Sequence, residues 1–315
     1  MQYRRLGKWG VKVSSISLGS WLTYGATVDR ETATACIHRA LDLGINFFDT
    51  ANVYARGAAE EVVGQALAGV RRDSYVLATK VFWPMGEGPN DRGLSRKHIV
   101  EQCNQSLRRL RTDYVDLYQC HRYDPEVPLE ETVRAMEDLV SQGKVLYWGV
   151  SEWSAVQIDD AIHMTRAHGW HEPVSDQPVY NMFNRYIEDQ VMPLARREGM
   201  GLIVFSPLAQ GLLTGKYKAG EPAPAGSRGA NPETSRMIAN LATPERLQKV
   251  EALRQVADRL GISLAQLALA WVLRHPEISS AITGATRPEQ VEENVRAADI
   301  TLSDEVMAEI AAILG

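Results

Sequence analysis

Short apolar runs of β type alternate with amphipathic helical stretches eight times along this 315-residue chain, and no other feature limits its fold so sharply. Two extended segments, residues 3–6 and 11–13, come before the alternation and read as a β-hairpin turning through Gly7-Lys8-Trp9-Gly10. Strand and helix pairs follow at residues 15–19 with 30–43, 45–49 with 58–70, 75–80 with 96–110, and 114–120 with 129–142. The fifth and sixth pairs are 145–150 with 155–168 and 174–177 with 187–198. A seventh strand at 201–205 and an eighth at 279–283 have helical sequence between and after them. Gly44 stands where the first helix needs a left-handed C-cap. The connections are short and the composition never breaks. The pattern therefore predicts a closed (β/α)8 TIM barrel in one domain, residues 1–315, rather than an open doubly wound sheet. Such a barrel takes about 250 residues. The remainder accommodates the N-terminal β-hairpin, a Gly-, Pro- and Ala-rich loop after strand 7 (residues 208–243), and a C-terminal helix at 303–314 with Ser303 as N-cap. Loops that long inside a compact domain are usually functional.

Composition narrows the function. A net charge of −5, with no Lys/Arg run that could track phosphates, argues against a nucleic-acid binder. Three cysteines (Cys36, Cys103 and Cys120) lack metal-ligand or C-x-x-C spacing, and the scatter of His38, His98, His163, His168, His171 and His275 suggests no metal site. An odd number of thiols points to a reduced compartment, and neither an apolar leader nor a membrane span is visible. The expectation is a soluble, cytoplasmic protein with no membrane insertion.

Polar residues at the strand ends carry the chemistry. Asp49, Lys80 and His121 each close an apolar strand run, and Tyr54 lies in the turn after the first of them. In a parallel barrel the strand C-termini share one mouth, so these four should converge. Alone, each has a plainer reading: a helix cap, a solvated strand end, a rim aromatic. Together they suit protonation of a carbonyl. A phenol near pKa 10 is a weak acid at neutrality, and an adjacent ammonium favours its anion. Lys80 can supply that charge, Asp49 can hold Lys80, and His121 can donate to a carbonyl oxygen. The set contains no nucleophile and no second carboxylate spaced for glycoside hydrolysis. Trp21, Tyr24 and Trp83 fall in loops after strands one and three, where they would wall a substrate pocket, while Cys120 reads as a buried strand thiol.

These residues resemble those of the aldo-keto reductases over essentially the whole chain. The resemblance rests on Gly44-Ile45-Asn46-Phe47-Phe48-Asp49-Thr50-Ala51 with Tyr54 and Gly64, on Leu77-Ala78-Thr79-Lys80, and on Ser106, Leu110, Asp113-Tyr114 and Asp116-Leu117. It continues through Gly143-Lys144-Val145, Gly149-Val150-Ser151, Gln177 before Tyr180-Asn181, and Phe205-Ser206-Pro207-Leu208-Ala209. Glu130 to Met136, Tyr147-Trp148-Gly149 and Gly215-Lys216-Tyr217 are most similar to the branch of the voltage-gated potassium channel β-subunits and their bacterial relatives.

The resemblance implies NADPH-dependent reduction of aldehydes or ketones, with Tyr54 as general acid and Asp49, Lys80 and His121 supporting it. By position it implies cofactor contacts from Gly19, Ser20 and Trp21 after strand one, and from Asp49 near the nicotinamide. Ser151 and Gln177 would hold the carboxamide, and Phe205 would lie against the nicotinamide face. Ser206, Leu208, Gly211, Lys216 and Arg228 would meet the phosphates, and Gly284, Thr286, Gln290, Glu293 and Asn294 the adenosine end. This distribution agrees with the general gathering of barrel phosphate sites around strands seven and eight.

The chain departs from that pattern at several positions. Channel β-subunits carry Asn where this chain has His121, which favours a working reductase. Many reductases hold the 2′-phosphate with Lys and Arg at the positions of Ala285 and Gln290, so here Lys216, Arg228 or Arg287 must supply the charge, with NADPH placed ahead of NADH. Glu152 stands where Ser-Asn or Ser-Arg pairs are usual. The alternative to an enzyme acting on a small carbonyl substrate is a cofactor-holding, redox-responsive partner subunit with little turnover. The resemblance also implies a homotetramer or larger assembly.

Overall fold

The predicted hairpin forms from β1 (Tyr3–Arg5) and β2 (Lys12–Ser14), paired antiparallel with Tyr3 opposite Ser14. The computed structural model of the chain describes residues 1–25 and 28–315. Eight further strands follow: β3 (Ile16–Gly19), β4 (Phe47–Asp49), β5 (Val76–Val81), β6 (Val115–Cys120), β7 (Val145–Val150), β8 (Ser175–Asp176), β9 (Gly201–Val204) and β10 (Ile278–Thr283). Each pairs in parallel with the next, and β10 returns to β3, so the sheet closes as a barrel. Because every strand is covered on both faces, β5, β6 and β10 are buried at all six of their positions, which is why they read as continuous apolar runs.

Helices return the chain between strands: α1 (Arg30–Asp42), α2 (Ala58–Ala66), α3 (Arg96–Leu110), α4 (Leu129–Ser141), α5 (Ala155–His168) and α6 (Val191–Glu198). Then come α7 (Ser235–Leu241), α8 (Pro244–Arg259), α9 (Leu264–Leu273), α10 (Pro288–Arg296) and α11 (Asp304–Leu314). Their starts follow side-chain chemistry. Asp29, Ser95, Ser154, Ser263 and Ser303 each accept a backbone N–H of the first turn, and Ser154 and Ser263 complete capping boxes with Gln157 and Gln266. α9 is buried on every face and serves as a core helix; no single described helix is long and apolar enough to cross a membrane.

Some boundaries differ from the periodic pattern. α2 ends at Ala66 rather than Val70, and the sixth strand shrinks to Ser175–Asp176. The segment 208–243 is more ordered than its composition predicts: a 3-10 stretch at Ala209–Thr214 and α7 both lie within it.

Two cores result. The larger fills the space between strands and helices, and the smaller fills the lower barrel with Phe47, Val76, Ala78, Leu117, Val174, Ile203 and Ile282. Leu6 and Val13 of the hairpin region join that inner cluster, so the hairpin plugs the N-terminal end. Gly7 makes the plug fit. Its φ is +61°, and a Cβ there would come within 2.2 Å of the Gly199 carbonyl oxygen. Outside the barrel, a buried ion pair ties α2 to α3: Arg109 Nε meets Glu60 Oε2 at 2.6 Å, and Thr79 Oγ1 donates to Glu60 Oε1 at 2.5 Å. With the bottom sealed, the C-terminal mouth is left to hold a site.

Candidate active site

The loop after β4 is laced to the top of β5. Thr50 N donates to Ala78 O at 2.9 Å, and Asn52 N to Lys80 O at 3.3 Å. Tyr54 then opens a 3-10 turn, Tyr54–Gly57, in which Ala55 (φ 48°) and Arg56 (φ 52°) both adopt the left-handed conformation. Non-glycine residues held there cost about 1–3 kcal/mol each. The turn carries Tyr54 over Lys80, the fifth residue of β5, while His121 follows β6 directly and donates its N–H to Val81 O at 2.9 Å.

Asp49, Tyr54, Lys80 and His121 therefore come together. Lys80 is 0% exposed; its Nζ donates to Asp49 Oδ1 at 2.5 Å, to Thr50 O at 2.9 Å and to Tyr54 Oη at 3.3 Å. Asp49 is also fully engaged: its Oδ2 accepts from Gln177 Nε2 at 2.9 Å and from Gln119 Nε2 at 3.5 Å. The His121 ring packs edge-on to Tyr54 with centroids 5.8 Å apart.

The electrostatics can be ordered by cause. Burial pushes the Lys80 ammonium down, but Asp49 and Tyr54 more than offset it, so its pKa lies above the ordinary lysine value. Burial raises the Tyr54 phenol above its usual value. Lys80 opposes that rise without cancelling it, so the expected lowering by the ammonium is a partial offset and not the net effect. His121 is depressed well below the usual histidine range, by burial first and then by Lys80 and Arg122. It is a neutral imidazole at pH 7, and its buried Nδ1 has no hydrogen-bond partner. The mouth thus holds a protonated phenol, a fixed cation beneath it and a neutral ring beside it.

The residues expected around a cofactor fall in three groups. Near the mouth, Trp21 lies 6.5 Å from the Tyr54 ring and stands perpendicular to Phe205 at 6.4 Å. Ser151 Oγ donates to Gln177 O at 2.8 Å, Ser20 Oγ donates to Thr50 Oγ1 at 2.8 Å, and Gly19 ends β3. Along the loop after β9, Ser206 (φ 52°), Ala209 (φ 46°) and Gln210 (φ 58°) are left-handed, and the Leu208 carbonyl accepts Gly211 N. Gln210 links this turn to both neighbours, donating to Ser206 Oγ at 2.6 Å and accepting from Arg228. At the end of β10, Gly284 faces the Arg228 guanidinium. Thr286 N donates to Gln290 Oε1 at 2.8 Å, Asn294 is buried, and Glu293 offers its carbonyl to Gln266.

The middle group fits a dinucleotide phosphate. Lys216 is lowered by burial and by the charges of Arg228 and Arg287, and Arg228 is lowered by burial. Neither Lys216 nor Arg228 forms a salt bridge with a described carboxylate, and a phosphate dianion would relieve both. Arg287 is tied only loosely, at 3.8 Å from Glu289. Ala285 is buried and has no charge to offer.

Two sequence readings change at the rim. Trp83 is at the mouth, 6.2 Å from the His121 ring, but Tyr24 is not. Its side chain is 2% exposed within the large core, where burial and the neighbouring Cys36 of α1 raise its phenol. Glu152, left without a role by the sequence, is held in the left-handed region (φ 58°), and its Oε1 accepts from Val179 N at 2.5 Å and Tyr186 Oη at 3.1 Å. Gln119 and Gln210 escaped the sequence reading. Period-2 alternation along β6 puts Leu117, Gln119 and His121 on one face, a signal that finds the first of them.

Comparisons with known proteins agree with this architecture. The sequence profile described as Aldo/keto reductase family matches residues 15–314. A "Probable voltage-gated potassium channel subunit beta" of Arabidopsis thaliana is 48% identical over 303 residues, covering 95% of this chain and 92% of the relative. The protein of the same description from Oryza sativa subsp. japonica is 47% identical over 319 residues, covering 100% and 97%. A "Putative voltage-gated potassium channel subunit beta" of Schizosaccharomyces pombe is 46% identical over 322 residues, covering 99% and 93%. With a closed parallel barrel and a profile match over nearly its full length, the chain belongs to the aldo/keto reductase family.

Proposed function

We propose that the protein is an NADPH-dependent oxidoreductase that reduces aldehydes or ketones to alcohols, with Tyr54 as the general acid. The observation that carries this reading is the contact of Tyr54 Oη with the buried, Asp49-paired Lys80 at 3.3 Å, at the open end of the barrel. A reduced nicotinamide bound along the rim would supply the hydride. Phe205, Ser151 and Gln177 would orient that ring, and Lys216 and Arg228 would hold the phosphates. The chain's own part is the proton. Tyr54 remains protonated at pH 7, so it can donate to the oxygen of the substrate carbonyl as negative charge develops there. Lys80 stabilises the phenolate left behind, and neutral His121 can hydrogen-bond the same oxygen without competing as an acid.

The names of the relatives support a second reading, in which the chain holds cofactor as the partner of another protein and turns over little. Both readings include a bound dinucleotide, so turnover separates them. The enzyme reading expects NADPH oxidation with 4-nitrobenzaldehyde or methylglyoxal at a rate far above that of Tyr54→Phe. Equal rates in the two proteins would eliminate it.

A further inference from the structure

Arg122, which the sequence reading passed over, extends the mouth beyond the reacting centre. It follows His121 directly, and its Nη1 donates to the His121 carbonyl at 2.5 Å. Its guanidinium carbon lies 5.6 Å from the centroid of the exposed Trp83 ring, which stands edge-on to His121. Tyr54 also stands edge-on to His121, with ring centroids 5.8 Å apart. Tyr54, His121, Trp83 and Arg122 thus form one run of contacts, with the proton-donating hydroxyl in its first member and a cation in its last.

That cation has no acid of its own. No described carboxylate lies within 4.0 Å of Arg122. Asp124, in the same loop, is used by the N–H groups of Leu94 and Glu126. Glu152 is occupied by Val179 and Tyr186. Asp176 is fully buried and lies beyond ion-pair distance of Arg122; burial and then Glu152 push its carboxyl well above the ordinary range, against a smaller opposing pull from Arg122. Lys80, the cation at the reacting centre, is neutralised by Asp49. A half-buried guanidinium that spends one donor on a backbone carbonyl keeps the rest of its five N–H groups for a ligand. Planar, paired donors of this kind match a carboxylate.

We propose that Arg122 is a specificity-determining residue that receives the carboxylate of carbonyl substrates bearing one, while their aldehyde or ketone group meets Tyr54. The substrate class is then anionic aldehydes and oxo acids. This deepens the reductase reading and rests on it.

The test compares 4-formylbenzoate with its methyl ester, a neutral molecule of nearly the same shape and electronic pull. The wild-type protein with NADPH should favour the acid by at least about tenfold in kcat/KM, a ratio that shrinks as salt rises. In Arg122→Met the ratio should fall to about one, and Arg122→Lys should keep part of it. A wild-type ratio at or below one, or a ratio unchanged in Arg122→Met, overturns the proposal even if both aldehydes are reduced. If neither aldehyde turns over, the reductase reading fails and the anion site is judged by binding alone. Calorimetry on the NADP+-loaded protein should then show 4-(hydroxymethyl)benzoate binding at least about tenfold tighter than its methyl ester in wild type but not in Arg122→Met, and equal affinities would overturn the proposal.

Discussion

Gln177 reaches across the barrel to Asp49: its Nε2 donates to the carboxylate at 2.9 Å from the end of β8, four strands around the ring from β4. The aspartate that anchors Lys80 is therefore itself anchored from the opposite wall. The cluster is braced from both sides, and substitutions within it should separate into effects on chemistry and effects on folding.

Tyr54→Phe removes the proton donor but leaves the ring beside Trp21 and His121. The kcat for aldehyde reduction should fall about 10²- to 10⁴-fold, the usual contribution of a positioned acid. The Kd for NADPH should stay within about threefold, measured by quenching of intrinsic fluorescence. A large loss of cofactor affinity would mean that the phenol serves structure.

Lys80→Met should cost stability as well as activity. It leaves the Asp49 carboxylate buried with only amide donors, a situation that costs about 3–5 kcal/mol. Adding Asp49→Asn should restore most of the unfolding free energy in urea without restoring turnover. A double variant as unstable as the single one would show that the lysine supports packing more than charge.

The pH profile follows from the two shifts at the mouth. With the Tyr54 phenol raised above its ordinary value near 10, its acid form persists through neutrality, and His121, lowered well below the usual histidine range, adds no second ionisation above neutrality. The kcat should therefore be flat from about pH 7 to 9. A decline beginning near pH 7 would assign the proton to another group.

The same histidine should make the apoprotein acid-sensitive. Its folded pKa lies below the unfolded value of about 6.5, so as pH falls below that value the unfolded chain takes up a proton that the folded one refuses. Stability is then lost toward acid by up to about 1.4 kcal/mol per pH unit for this one group. His121→Asn should flatten the dependence between pH 7.5 and 5.5. His98 and His275, also lowered by burial, will leave a residual slope.

Arg228→Ala should weaken NADPH by about 10- to 100-fold, in line with about 1.5–3 kcal/mol for a hydrogen bond to a charged group. NADH, which lacks the 2′-phosphate, should change by less than about threefold. An unchanged ratio of the two dissociation constants would move the role to Lys216 or Arg287.

How much of this was readable beforehand depended on range. Asp49, Lys80 and His121 were legible because each ends a strand, and parallel barrels bring strand ends together whatever their distance in sequence. Glu60 and Arg109 were not legible: they are 49 residues apart on neighbouring helices, where either would pass for a solvated surface charge. Tyr24 was misread because a loop aromatic gives no sign of which way it turns, and here it packs inward beside Cys36. Arg122 ends no apolar run and closes no motif, so the sequence gives it no role. Only the fold shows that the acids around it are already taken.

The hairpin and the side chains packed above it close the barrel floor and leave the C-terminal mouth as the open end. With the lower barrel filled, a ligand at Tyr54 has no exit through the floor and would leave by the mouth, beside Trp21 and Trp83. With one open end, a product that lingers at the mouth would delay the substrate that follows it. The pace of the whole cycle can then be set by clearance of the doorway, far from the residues that handle the proton.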